Sequence, residues 1–231
     1  MRKTLLSLTP VALVLLTASG ATQAADTATL TITGTVAPSA CVPSFSNGGV
    51  VDFGTITSAS LNPTGPSVLE PRRITFSVNC EGPVKVAFNA QDNRVGTAVG
   101  YTPFSPSPND GSEVGLAPQY MAGLGTDSSN NNIGSVRLTS VASSGVANGA
   151  TADILGTVDG GAGFSLITNG ILTVDGSRWH TWGTVGSAKP VAITTASVEQ
   201  DVAVSLNKKV NLDLTNAIHL DGNVTYTLVY L

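Results

Sequence analysis

The 231-residue chain is poor in charge, with 11% Asp, Glu, Lys and Arg, and poor in aromatics, at 5%. Its 11 basic residues face 15 acidic ones, which leaves no surface that would attract nucleic acid. The two cysteines, without clustered His or Cys beside them, make no zinc site, and Cys41 and Cys80 lie too far apart for a redox CxxC pair. Enzymatic signatures are missing too. There is no Gly-x-Ser-x-Gly elbow, no H-E-x-x-H pair and no Gly-rich phosphate loop, and the carboxylates are too scattered to form a glycosidase pair. The expectation is a protein without catalytic residues, cofactor or metal. No stretch of useful length keeps helical periodicity, and no apolar run reaches the roughly 20 residues that a spanning helix needs.

What the chain does hold is punctuation and alternation. Residues 1–24 have a secretory plan: Arg2 and Lys3, an apolar run from Leu5 to Leu16, and small residues ending in Ala21-Thr22-Gln23-Ala24. Read as a leader cut after Ala24, it leaves nine basic against fifteen acidic residues, a net of −6. An exported chain meets an oxidising compartment, so Cys41 and Cys80 are expected to form one disulfide. Closing a loop of that length stabilises by roughly 4 kcal/mol on the chain-entropy model. Directly after the leader, Thr29 to Val36 alternates strictly. Leu30, Ile32, Gly34 and Val36 share one face, and four threonines the other. A strand with one apolar face needs a partner, from its own chain or from another molecule.

Further on, Asn47-Gly48-Gly49 reads as a turn into Val50–Gly54, and residues 58–71 as a proline-rich loop. Ile74, Phe76, Val78 and Cys80 alternate inward; after a turn at Glu81-Gly82-Pro83, Val84, Val86, Phe88 and Ala90 do the same. Cys80 shares the parity of the apolar face, which favours a core-facing disulfide. Residues 95–132 read as irregular excursions with a short strand near 119–122, and 134–141 as a strand. Thr-Val-Asp-Gly at 157–160 and again at 173–176 marks two turns. Strands are expected at 191–198 and 201–206. The chain closes on a strand with Val224, Tyr226, Leu228 and Tyr230 on one face. Ten or so short strands with Gly, Pro and Asn turns predict an all-β sandwich.

The leader, the alternating segment running into Cys41, the Val-Asp-Phe-Gly stretch at 51–54, the Ile-Thr-Phe-Ser-Val-Asn-Cys strand ending at Cys80, and the terminal strand with penultimate Tyr230 together resemble the pilins of chaperone–usher fimbriae, in a less characterised fimbria-like branch. The resemblance covers both ends and the first hundred residues; 95–188 matches poorly. It implies an immunoglobulin-like, pilin-type sandwich lacking its final strand, with long loop or hairpin insertions in the middle. Residues 25–36 would be an N-terminal extension and 37–231 the sandwich. Ala28, Leu30, Ile32, Gly34 and Val36 would be donated as a strand to a neighbouring subunit, though Ile32–Val36 can also be read as the domain's own first strand. Val224, Tyr226, Leu228, Tyr230 and Leu231 would meet a periplasmic chaperone, before an outer-membrane usher and other fimbrial subunits take over.

One polar-aromatic cluster stands apart: Arg178-Trp179-His180-Thr181-Trp182. Indole faces stack on sugars and cations, so Arg178, Trp179, His180 and Trp182 form a candidate ligand loop for a host receptor. The alternative is that the tryptophans cover the end of the sandwich, with His180 exposed between them. Three functions are therefore expected. These are a polymerising structural subunit, an adhesive or tip-associated subunit whose middle insertion binds a host glycan or protein, and a self-completed exported β-sandwich.

Overall fold

The computed structural model describes residues 28–36, 39–100, 102–112, 117–158 and 160–231. The leader, residues 1–24, lies outside them. The chain divides into two units, Met1–Val36 and Ala37–Leu231. In the first, residues 28–36 form no strand, and Leu30, Ile32 and Val36 are 84%, 87% and 101% exposed.

The second unit is all-β, with short 3-10 turns and no α-helix among the described residues. Its strands are β1 (Cys41–Phe45), β2 (Ser67–Val68), β3 (Arg72–Val84), β4 (Val86–Asp92), β5 (Ala122–Gly123), β6 (Gly134–Ser140), β7 (Val146–Ala147), β8 (Ala150–Thr151), β9 (Asp153–Thr157), β10 (Ser165–Leu166), β11 (Trp179–Gly183), β12 (Ile193–Leu206) and β13 (Val224–Tyr230). They make two sheets. One runs β1-β3-β12-β6-β5, with β2, β7 and β8 attached to its flanks; the other runs β10-β9-β11-β4-β13. The all-β sandwich expected from the alternation is what the structure shows.

Alternation explains the core. Ile74, Phe76 and Val78 of β3, Val86, Phe88 and Ala90 of β4, and Val198, Val202 and Val204 of β12 are buried between the sheets with Trp182 of β11. Cys41 stands opposite Cys80 in the β1–β3 register and is bonded to it. The Asn47-Gly48-Gly49 turn is present, with φ of 50°, 60° and 82° in the left-handed region.

Two expectations need correction. Glu81-Gly82-Pro83 is not a hairpin turn: β3 runs through it to Val84, and after Lys85 the chain enters the other sheet. Residues 191–206 are not two strands. Glu199-Gln200-Asp201 looks like a polar break, but Glu199 and Asp201 both pair with Arg73 across the sheet, and Gln200 faces inward, so β12 is continuous. The middle holds the expected excursions and hairpins, with the short strand β5 among them. Residues 95–188 supply β5 to β11, and the stretch before β5 lies on the outer face of β6, where Phe104 covers the Arg137 guanidinium at 5.5 Å and the Ser105 carbonyl accepts a hydrogen bond from its Nη2. All seven residues of β6 are buried as a result.

One side of the sandwich is strapped shut. Ile171 bridges Thr139 of β6, and Asp175 bridges Gln91 of β4, so residues 170–176 pass from one sheet to the other. Gly170 is required there: its φ is +70°, and a side chain would collide with the Ser140 carbonyl.

Candidate functional site

The other side is open. Among the described residues, strand β13 pairs with β4 alone and ends its sheet. The Asn93 N–H donates to the Asn223 carbonyl, and the Leu231 N–H to that of Lys85. This makes the odd-numbered residues of β13 the hydrogen-bonded partners of β4. In an antiparallel pair the backbone groups of the intervening residues point the opposite way. The N–H and C=O groups of Val224, Tyr226, Leu228 and Tyr230 therefore line a free edge, and their side chains lie on the inward parity.

Beside that edge is a groove of about 870 Å³. Val136 and Leu138 of β6 with Val202 and Val204 of β12 make its floor, Val224 and Tyr226 one wall, and Phe45, Val51, Phe53 and Ile56 the other. Leu212, Leu214, Ile218 and Leu220 close the far end. Val224, Tyr226 and Leu228 are only half-buried, unlike the inward residues of β4. The walls touch at two points. The Phe45 and Tyr226 rings meet edge-on at 4.9 Å, and the Cys41 N–H donates to the Tyr230 hydroxyl at 3.1 Å. At the end of β13 where the chain enters, Arg94 grips both oxygens of Asp221, at 2.8 and 2.7 Å.

An apolar trench beside unpaired backbone groups can take up an extended segment. It is also an aggregation hazard while empty. The segment proposed from sequence as a donor, with Ala28, Leu30, Ile32, Gly34 and Val36 in alternation, is exposed throughout.

The other candidate site is corrected. Residues 179–183 are not a loop but strand β11, between β9 and β4. Trp182 is fully buried against Phe88, its Nε1 donating to the Ser197 carbonyl. His180 is not exposed but fully buried; desolvation pushes its pKa down to about 3, with the Arg178 charge adding to the fall. Arg178 is engaged over the Tyr120 ring and with the Ile171 carbonyl, and both Arg178 and Trp179 are half-exposed. The four side chains do not converge on a ligand. Sequence reasoning missed Gln200, whose side chain reaches the groove floor; its alternation with Val198 and Val202 was the available signal.

Among the described residues, no group of three or more His, Cys, Asp or Glu side chains is placed to hold a metal, and no helix is long and apolar enough to cross a membrane.

Comparison with known proteins agrees on similarity and is sparse on activity. A family model described as a protein of unknown function (DUF1120) matches residues 30–137. Protein GltF of Escherichia coli (strain K12) is 29% identical, over 91% of this chain and 91% of that protein. The uncharacterized protein YhcF of the same organism is 27% identical, over 90% of this chain and 92% of its own length. A chain from the solved structure of a chaperone-usher pilus overlaps 90% of this chain and 97% of itself at 16% identity, with a TM-score of 0.33. At that level the overlap does not bear on function.

Proposed function

We propose that this protein is a structural subunit of a surface fimbria, exported by its leader and polymerised by strand addition, with residues 28–36 of one copy filling the groove of the next. The observation that carries this reading is the free edge of β13 beside an apolar trench, in a chain whose own alternating segment is exposed. The periods match. A strand added to β13 faces the groove at every second residue, opposite Val224, Tyr226, Leu228 and Tyr230. Run antiparallel, Leu30 would stand opposite Tyr230, Ile32 opposite Leu228, Gly34 opposite Tyr226 and Val36 opposite Val224. The residue without a side chain then meets the ring that already fills the trench. Burying Leu30, Ile32 and Val36 would contribute roughly 5–8 kcal/mol before ordering costs, at about 1.5–3 per side chain.

A periplasmic chaperone would shield the same edge before an outer-membrane usher passes the subunit on, with Val224, Tyr226, Leu228, Tyr230 and Leu231 as its contacts. The adhesive reading loses support, since Trp182 and His180 are unavailable to a receptor.

The test is polymerisation of the mature chain. Deleting residues 25–36 is expected to stop fibre growth while leaving a subunit that still binds an added peptide of residues 28–36. A truncated chain that stays a stable monomer and ignores the peptide would sink the proposal, and favour a self-completed sandwich.

A further inference from the structure

Among the described residues, the largely apolar space between the sheets is crossed at its middle by a file of polar side chains, apart from Asp92, which accepts from the Gly123 N–H at one end. Gln200 stands on the inward row of β12 between Val198 and Val202, fully buried. Ser140 of β6 is opposite it in the register, and the Ser140 hydroxyl lies 2.9 Å from Nδ1 of His180. On the groove side, the Tyr226 hydroxyl donates to Gln200 Oε1 at 3.2 Å. Gln200 Nε2 donates to Ser140 Oγ at 3.1 Å, and Ser140 Oγ also lies 3.4 Å from Gln200 Oε1. The other ring nitrogen, His180 Nε2, meets no partner. The file joins β13, β12, β6 and β11 from both sheets.

Such a file is a poor way to stabilise a core. Apolar side chains of the same volume would do as well or better, and one ring nitrogen is left without a partner. What buried polar contacts can add is a fixed position, as a single polar residue does when it sets the register of a coiled coil. Here the file ends on Tyr226, an inward residue of the strand that has a neighbour on one side only. On its free side β13 is tied at its end, where the Cys41 N–H donates to the Tyr230 hydroxyl, and an empty apolar trench would gain by letting the middle of the strand settle across it and expel water. The Tyr226 ring, 4.9 Å from Phe45 and 5.2 Å from Phe76, with its hydroxyl tied to Gln200, opposes that collapse.

We propose that Tyr226, acting through Gln200, Ser140 and His180, is a positioning residue that holds β13 at the height where an incoming strand can hydrogen-bond to its free edge. This rests on strand addition as the use of the groove.

The test uses the full-length mature chain carrying Leu30→Asp and Ile32→Asp, which silence its own extension, mixed with a labelled peptide of residues 28–36. Association is followed by fluorescence anisotropy, and stability by urea midpoint. Tyr226→Phe is expected to slow association about tenfold, the factor that one ordinary hydrogen bond corresponds to, and to speed amide exchange across residues 224–230. Because that change also leaves Gln200 Oε1 only its long contact with Ser140 Oγ, Tyr226→Phe combined with Gln200→Met is measured beside it. The pair is expected to regain the urea midpoint and remain slow. Association at the parent rate in either variant overturns the positioning role, whether or not the midpoint moves. No association in the parent overturns strand addition itself, and the positioning role with it.

Discussion

Strands β11 and β13 flank the same neighbour, β4, and each has two rings on its inward parity, His180 and Trp182 on one and Tyr226 and Tyr230 on the other, yet they end in opposite states. Strand β11 has β9 on its far side, and His180 and Trp182 are wholly enclosed. Strand β13 has no strand on its far side among the described residues, and Val224, Tyr226 and Leu228 remain half-open over a trench. Composition does not separate the two; rank in the sheet does. An aromatic pair at the centre of a sheet is structure. The same pair at an edge is a surface waiting for a strand.

That contrast predicts unequal costs for similar truncations. Trp182→Ala should destabilise by about 3–5 kcal/mol, the range for a large aromatic removed from a core, measured by urea unfolding. Recovery of full stability would mean that β11 is not the sealed strand described. A smaller effect should follow pH. The unfolded chain protonates His180 at the ordinary 6.5, whereas the folded chain resists until about 3, so this contribution is complete above 6.5 and is lost as pH falls toward 3. Between pH 6.5 and about 5, above the range of ordinary carboxylates, stability should fall by at most about 1.4 kcal/mol per unit. His180→Gln should flatten the slope; an unchanged slope would place the titration elsewhere. Smallest of all, Leu228→Ala on the open side should lower stability by about 1 kcal/mol, since its side chain is only half-buried. It should nevertheless weaken capture of the 28–36 peptide, and a loss as large as that of Trp182→Ala would erase the distinction between edge and centre.

The sandwich was legible wherever one face of a strand met water. Ile74, Phe76 and Val78 alternate with half-exposed neighbours, and so do Val224, Tyr226 and Leu228, so period two could be read directly. Where both faces are covered, as in Gly134–Ser140, the strand was still read but the cover on its outer face was not. Gly134 to Ser140 is buried throughout because Phe104 and its neighbours lie on the outer face, a contact between residues about thirty positions apart that no local pattern announces. His180 and Gln200 failed for a related reason. Each is polar and looked like a surface residue, and each is accommodated by partners 20 to 60 residues away along the chain. A missing final strand was expected only as what the pilin resemblance implies, a resemblance carried in part by Cys41 and the terminal strand. The groove's floor residue Gln200 was hidden inside an apparent break between two strands.

The disulfide has a mechanical meaning that its contribution to folding does not express. The extension joins the sandwich at Cys41, the first residue of a five-residue strand that could be peeled from its sheet one bond at a time. Because Cys41 is covalently bound to Cys80, tension arriving along the extension bypasses β1 and is delivered to β3, which spans thirteen residues and is flanked on both sides. In a fibre whose subunits hang from one another by residues 28–36, the load would be carried by the centre of the larger sheet, and the weakest link would be the strand seated in the trench.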